Sequence, residues 1–569
     1  MNRRLALLLL TAAWSTFAFA DPLKLPDNSV VAGWRDANVD GSKSGVAEYE
    51  ETDGSPVLGV DFSTVLPNGN VSVQVDHQGT DAQRHSIRFD IGPVVRSLTT
   101  FRRLPHNLVH DSMDNLEAAT KAGRQLWHDD ANAGSEYGYR YSALDHRTEF
   151  AIGDHVTLAG TYNQQWRKGH AQAYAISHCE GCHVQSQARP LDEDTRTIGA
   201  DATFAFNAGS ITAGYSTREL RQNVPFVTNQ YDRAVHPELR SKIFDNRVIY
   251  GLGEGPLPID LRPDIDKDVS RVDFQLPNLA GFTVAGGGVW SETQNQYTGL
   301  TSEYAGYALS AARMLPGKWR MTWRGRAYTI DNDDIYIDVP DTISGAGPQA
   351  GKTYKQVYGY DPDWMRYSGL DRDVIDSRFE IGRRLGKKGG NLRFTWAYSD
   401  IDRDHYEVAA GATDTRTNVL GVAWNTRIAK KLRLDVRLSH GMVDNPMTNV
   451  DGTCSTFTSI DVASPLDPRA GQYWQIRDAK IGDASADPAS WDELRAGISY
   501  IAGRGVLSAN GRYWTGENQE GDLTDWSRDK YSLALNYSYS PSEQWSWFAG
   551  ATLLDSSTKS PVCIGLFDG

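Results

Sequence analysis

Cysteine is scarce in this chain: four occur in 569 residues, at Cys179, Cys182, Cys454 and Cys563. So few cannot form the disulfide framework of a stapled scaffold. Long apolar runs are also missing. Past residue 20 no stretch approaches the ~18–20 apolar residues of a spanning helix, which excludes a helical membrane protein. There is no basic surplus either, since 58 Lys and Arg face 72 Asp and Glu, for a net charge of −14 and a pI near 5.4. Binding a phosphate backbone needs a positive surface, so nucleic acid is excluded as a partner. No G-x-S-x-G, H-E-x-x-H or paired-carboxylate constellation has supporting context, so the sequence does not read as an enzyme.

What is abundant points elsewhere. The chain carries 53 Gly, 16 Trp and 26 Tyr at a mean hydropathy of −0.49. Transmembrane barrels share this mixture: polar residues face the lumen, turns need Gly, and Trp and Tyr anchor at the interfaces. Residues 1–20 read as a secretory signal. Arg3 and Arg4 precede the apolar Leu5–Leu10, and Ala18-Phe19-Ala20 gives a small-x-small cleavage site before Asp21. The mature chain, 21–569, is expected in an oxidising compartment.

Alternation of period two recurs along it. Leu432, Leu434, Val436 and Leu438 interleave with Arg433, Asp435, Arg437 and Ser439. Leu392, Phe394, Trp396 and Tyr398 do the same with Arg393, Thr395, Ala397 and Ser399. Period two sends one set to each face of a strand. Tight turns such as Pro67–Asn70, Ala280-Gly281, Leu315–Lys318 and Gly503–Gly505 alternate with long connections near 104–142, 168–194, 219–268, 331–372 and 444–490. Short periplasmic turns and long surface loops sort in this way in outer-membrane barrels. The pattern predicts about 20 strands between residues 56 and 553, with more around Val30–Trp34 and Val46–Glu51. The expected fold is therefore all-β: one large antiparallel transmembrane β-barrel with a strand count in the low to mid twenties. An even count is required for closure, and the last strand, Gln544–Leu553, runs outward. Either Pro561-Val562-Cys563-Ile564-Gly565-Leu566-Phe567 makes a short closing strand or C-terminal strands are lacking, and the second is the expectation.

Cys179-Glu180-Gly181-Cys182-His183 is the one motif that carries chemistry. C-x-x-C-H is the spacing at which two thiols become thioethers to a haem c and the His binds its iron. Here it falls in the long connection 168–194. His183 is the expected axial ligand, and His170 and His178 are the candidates for the other side. The plain alternatives are a Cys179–Cys182 disulfide or bare dithiol, or a zinc site completed by His178 or His170. Cys454 and Cys563 read as a disulfide pinning a surface loop. The acidic run Asp331–Asp334, with Asp338 and Asp341, lacks EF-hand spacing and reads as a solvated loop. Gly286-Gly287-Gly288 suggests a bulge, or close contact with something in the lumen. Trp290, Trp319, Trp323, Trp396, Trp424, Trp514, Trp545 and Trp547 read as an aromatic girdle.

The segment Ser44 to Asn107 resembles the MtrB/PioB-type family, the decahaem-associated outer-membrane barrels of porin–cytochrome electron conduits. It includes Glu48-Tyr49-Glu50-Glu51, the hairpin at Pro67–Asn70 and Arg103-Leu104-Pro105-His106-Asn107. Asp194-Thr195-Arg196-Thr197 to Phe206 is similar to that family too, and the likeness of pattern extends over most of the chain. Family members often carry a C-x-x-C near the mature N-terminus, whereas here the pair lies at Cys179 and Cys182 with a His added. The resemblance implies an outer-membrane sheath. A periplasmic multihaem c-type cytochrome would thread its lumen, and an outer-surface multihaem cytochrome would dock on its loops. The competing expectation is a passive porin or substrate-specific channel with a Cys179–Cys182 disulfide.

Overall fold

The computed structural model of the chain describes residues 28–36, 39, 43–52, 54–113, 127–178, 182–229, 256–337, 351–353, 355–356, 364–366, 368–386, 389–403, 414–446, 488–519, 526–542 and 545–559. The signal segment 1–20, Cys179, Cys454 and Cys563 lie outside them. Among the described residues lie 26 strands, the four-residue helix α1 (Lys43–Val46) and a 3-10 turn at Pro316–Lys318. They fall into two units. The first is Met1–Ala202 with Ser216–Phe244 and Tyr250–Asp266, and the second is Thr203–Tyr215 with Asp245–Ile249 and Lys267–Gly569.

In the first unit β1 (Ser29–Arg35), β2 (Ser55–Leu66), β3 (Gly69–His77), β4 (Gln83–Ile91) and β5 (Val95–Leu108) pair antiparallel in chain order. A short strand, β6 (Trp127–Asp130), comes next, but it is β7 (Tyr137–Ile152) that pairs with β5. β8 (Val156–His178) pairs with β7, and β9 (Cys182–Phe206) follows. β6 runs parallel to β9, with Trp127 opposite His183 and Asp130 opposite Ser186. After β10 (Gly209–Gln222), β11 (Val227–Asn229) and β12 (Leu257–Ile259) form a small separate sheet.

The second unit is a meander. It runs through β13 (Ile265–Leu279), β14 (Phe282–Asn295), β15 (Thr301–Leu315) and β16 (Trp319–Asn332). The two-stranded β17 (Ile335–Ile337) and β18 (Trp364–Arg366) interrupt it. β19 (Arg372–Arg384), β20 (Asn391–Asp402), β21 (Thr415–Ala429) and β22 (Leu432–Asp444) then pair in order. So do β23 (Ser490–Ala502), β24 (Gly505–Asn518), β25 (Trp526–Tyr539) and β26 (Trp547–Lys559). Twenty-two strands belong to one large sheet, antiparallel except at β6. The all-β class and the strand number in the low twenties are as the alternation implied. The tight turns at Pro67-Asn68, Ala280-Gly281 and Pro316–Lys318 also lie between strands as expected.

The pleat separates two chemistries. Ile381, Phe394, Val422, Leu438, Leu494, Tyr513 and Tyr531 stand opposite one another from β19 to β25. Apart from Ile381, whose exposure is lower, 39–54% of each is exposed. Their strand neighbours are ionic. Glu380 takes Arg378 at 2.7 Å and Arg393 at 3.8 Å, and Glu493 takes Arg495 at 2.8 Å and Arg512 at 2.5 Å. An exposed apolar row backed by an ion-paired one is the reverse of a soluble core.

Three expectations need correction. The segment 168–194 is not a loop, because β8 runs to His178 and β9 starts at Cys182. The strand expected at Val46–Glu51 is the end of α1 and a turn. There Asn107 Nδ2 donates to the Ala47 and Glu50 carbonyls, and the Glu51 carboxylate takes the Thr80 and Asp81 amides, fixing a bent backbone. Gly286–Gly288 make no bulge, for the register from Thr283 to Gln294 is unbroken. A Cβ at Gly287 would meet the Val272 carbonyl oxygen at 2.5 Å, so these glycines admit a neighbouring strand.

Candidate functional site

The C-x-x-C-H motif falls where β8 ends and β9 begins, between the two longest strands, of 23 and 25 residues. The arms stay extended because the far part of β8 has a face to bury. Ala171, Ala173 and Ala175 are 2–8% exposed, and Ala173 and Ala175 pack with Ile259 of β12 and Val227 of β11. Arg262 pairs with Glu193 of β9 at 3.2 Å, and Arg189 of β9 pairs with Asp260. His178 ends β8, while Cys182 and His183 begin β9. His170 is an exposed residue of β8 opposite Gly138. The eight residues from His170 to His178 span about 26 Å of extended strand. His170 thus stands well back along β8 from the strand's end at His178.

Beside the tip lies a cluster that no spacing announced. β6 docks parallel on β9, and the Asp130 carboxylate, 2% exposed, fastens it. Its Oδ1 accepts from Ser186 Oγ at 2.9 Å and from the Asn132 amide at 3.2 Å, and its Oδ2 faces His110 Nε2 at 2.5 Å. Gln172 Nε2 donates to Ser186 Oγ at 3.0 Å. His110 Nδ1 lies 2.7 Å from the Ser135 carbonyl oxygen, and the edge of the Tyr137 ring packs on the imidazole at 4.5 Å. With an oxygen acceptor at each nitrogen, His110 satisfies both as the doubly protonated imidazolium. Burial alone would push its pKa down, but the Ser135 carbonyl and the Asp130 carboxylate hold it above the ordinary value. For Asp130 burial pushes up, and the bonds from Ser186, His110 and Asn132 outweigh it and hold the pKa low. Occupied at both nitrogens, His110 is a clamp and has no lone pair to give a metal.

No protein-family model matches this chain, and no curated protein does. Several solved structures are similar at low identity. The ferric-catecholate import receptor Fiu of E. coli is 12% identical, with 89% of this chain and 79% of that one covered, at a TM-score of 0.40. The FrpB iron transporter of Neisseria meningitidis is 8% identical over 90% of this chain and 80% of its own, at 0.42. The ferric citrate transporter FecA is 9% identical over 93% and 78%, at 0.37. Each is named as a receptor or a transporter. Likeness at this level assigns neither family nor ligand.

Glu48, His106 and Asn107, three of the residues in the resembling segment, come together in space. His106 Nδ1 is 2.7 Å from Tyr139 Oη, and its Nε2 is 3.1 Å from Glu48 Oε1. The Asn107 amide donates to the Glu48 carbonyl at 2.8 Å. Two segments more than fifty residues apart thus form one latch between α1 and β5. The acidic run is also spoken for. Asp333 Oδ2 accepts the Thr301 amide at 2.6 Å, and Asp334 Oδ1 accepts the Ser368 amide at 3.0 Å. Among the described residues no group of three His, Cys, Asp or Glu is placed to hold a metal.

Proposed function

We propose that this chain is an outer-membrane barrel that sheaths a multihaem c-type cytochrome in a transmembrane electron conduit, in a binding and structural role. In this reading Cys179 and Cys182 hold one haem c as thioethers and His183 binds its iron, with His178 as the nearest further histidine in the chain. The observation that carries the reading is the C-x-x-C-H spacing itself, Cys179 to His183, which falls where β8 ends and β9 begins. The exposed apolar rows of the second unit support a lipid environment, because water would not tolerate so continuous a surface. Among the described residues no helix is long and apolar enough to cross a membrane, so crossing falls to strands. A bilayer core of about 30 Å is too wide for a single haem to bridge, so the reading requires a separate multihaem chain in the lumen and another at the outer surface.

Affinity purification in detergent tests this directly. The expected result is copurifying c-type cytochromes, with a haem-stained band at this chain's own mass. Cys182→Ala should abolish that band and leave the partners in place. A passive porin with a Cys179–Cys182 disulfide would instead give steady ion conductance in planar bilayers and no cytochrome. The ion-paired face of β19–β24 suits a watery lumen equally well, so conductance of the isolated chain is the measurement that separates the two.

A further inference from the structure

The polar face of the second unit gathers arginine beyond its supply of acid. Arg437 of β22, Arg495 of β23 and Arg512 of β24 stand directly opposite one another in register. Like charges in opposed positions repel, and such a row needs compensation. Glu493, with a side chain 7% exposed, compensates two of them, Arg495 and Arg512. Arg437 has no ion pair or side-chain hydrogen bond among the described residues.

A cavity of about 190 Å³ opens beside Arg437, lined also by Arg378, Thr395, Ser439 and Trp491. Its floor is Gly421, which stands in register between Thr395 and Ser439. Arg378 Nε is engaged by Glu380 at 2.7 Å, whereas Thr395, Ser439 and Trp491 make no side-chain hydrogen bond among the described residues. Every polar group in the niche can donate, and no carboxylate lines it. The volume equals that of about six waters, enough for an anionic head and a few carbons.

We propose that this niche binds a carboxylate, gripped chiefly by the Arg437 guanidinium, whose planar fork matches two carboxylate oxygens. The chemistry is the same whether a free solute or an acidic side chain of a bound protein supplies it. The site stands on the register and the cavity, whether or not Cys182 carries a haem.

The test is calorimetric titration of the full chain in detergent with succinate and, separately, with a tetraglutamate peptide. Arg437→Gln should weaken binding by about tenfold or more, the worth of one charge-assisted contact. Gly421→Leu should do the same with all charges retained. A Cβ there meets its neighbours at 3.6–3.7 Å, ordinary contact, so the new side chain fills the niche without straining the sheet. Arg433→Gln, on the same strand but outside the lining, should stay within about twofold. Equal affinity for the two probes assigns the niche to a free solute. Tighter binding of the peptide assigns it to an acidic protein segment that also reaches the arginines beyond. No binding of either probe, wild-type affinity in both niche variants, or an equal loss in Arg433→Gln would overturn the proposal.

Discussion

His110 and Asp130 make the attachment of β6 to β9 depend on pH, and the direction follows from their shifts. His110 is held above its ordinary value when folded. Its contribution is complete below about pH 6.5 and is lost as pH rises through the raised folded value. Asp130 is held below its ordinary value. Its contribution is present above about pH 4 and is lost as pH falls through the folded value. The arm should therefore be held most firmly between about pH 4 and pH 6.5. Hydrogen-exchange protection at Asp129–Ala131, taken relative to the intrinsic rate at each pH, should be greatest there and fall at pH 8.5. Equal protection at both values would refute the clamp. Asp130→Asn should cost about 1–3 kcal/mol, since it leaves a buried His110 and Ser186 with weakened partners, and should flatten the high-pH limb.

Strand positions differ sharply in their tolerance of added bulk, and the glycines show it. Gly287 of β14 has the Val272 carbonyl and Asp273 Oδ1 2.5 Å from where its Cβ would lie, while Gly160 of β8 has nothing within 4 Å. Gly287→Ala should destabilise the folded chain by about 1–3 kcal/mol as β13 and β14 are forced apart. Gly160→Ala should be close to neutral. Urea midpoints read from heat-modifiable gel mobility would check the pair, and equal midpoints would contradict the packing described here. The hairpins themselves were legible, because β22 and β20 alternate large apolar side chains with arginine. The far reach of β8 and β9 was not. Its buried face is written in Ala171, Ala173 and Ala175, residues too small to mark an alternation. His110, Asp130, Gln172 and Ser186 meet only because β6 returns parallel to a strand more than fifty residues later, and no local pattern encodes that. The turn after α1 was missed for a similar reason, since Asn107, not a nearby residue, bends it.

At the scale of the sheet, the two faces of β19–β25 differ in chemistry, and substitutions should respect that division. Leu494, 40% exposed, belongs to the apolar row, and Asn510 belongs to the polar face of the next strand. If lipid covers the apolar row, Leu494→Arg should cost about 2–4 kcal/mol in folding into vesicles. Asn510→Arg should change it by less than about 1 kcal/mol. Equal penalties, or full solubility of the chain without detergent, would remove the membrane from the account. The sequence made this division plain, whereas nothing in it disclosed that Arg437, Arg495 and Arg512 fall in one row, because register is a property of strand pairs.

The unusual length of the β8–β9 hairpin has a further consequence. Arms of 23 and 25 residues extend for roughly 75–80 Å at ~3.3 Å per residue, while crossing a bilayer takes a tilted strand only ~9–11 residues. If the chain spans a bilayer as proposed, roughly a dozen residues of each arm would stand off from the headgroups, about 40 Å. A haem on Cys182, as proposed, would then meet its counterpart in bulk water, and its encounter rate should follow ionic strength and viscosity and be indifferent to the composition of the leaflet below.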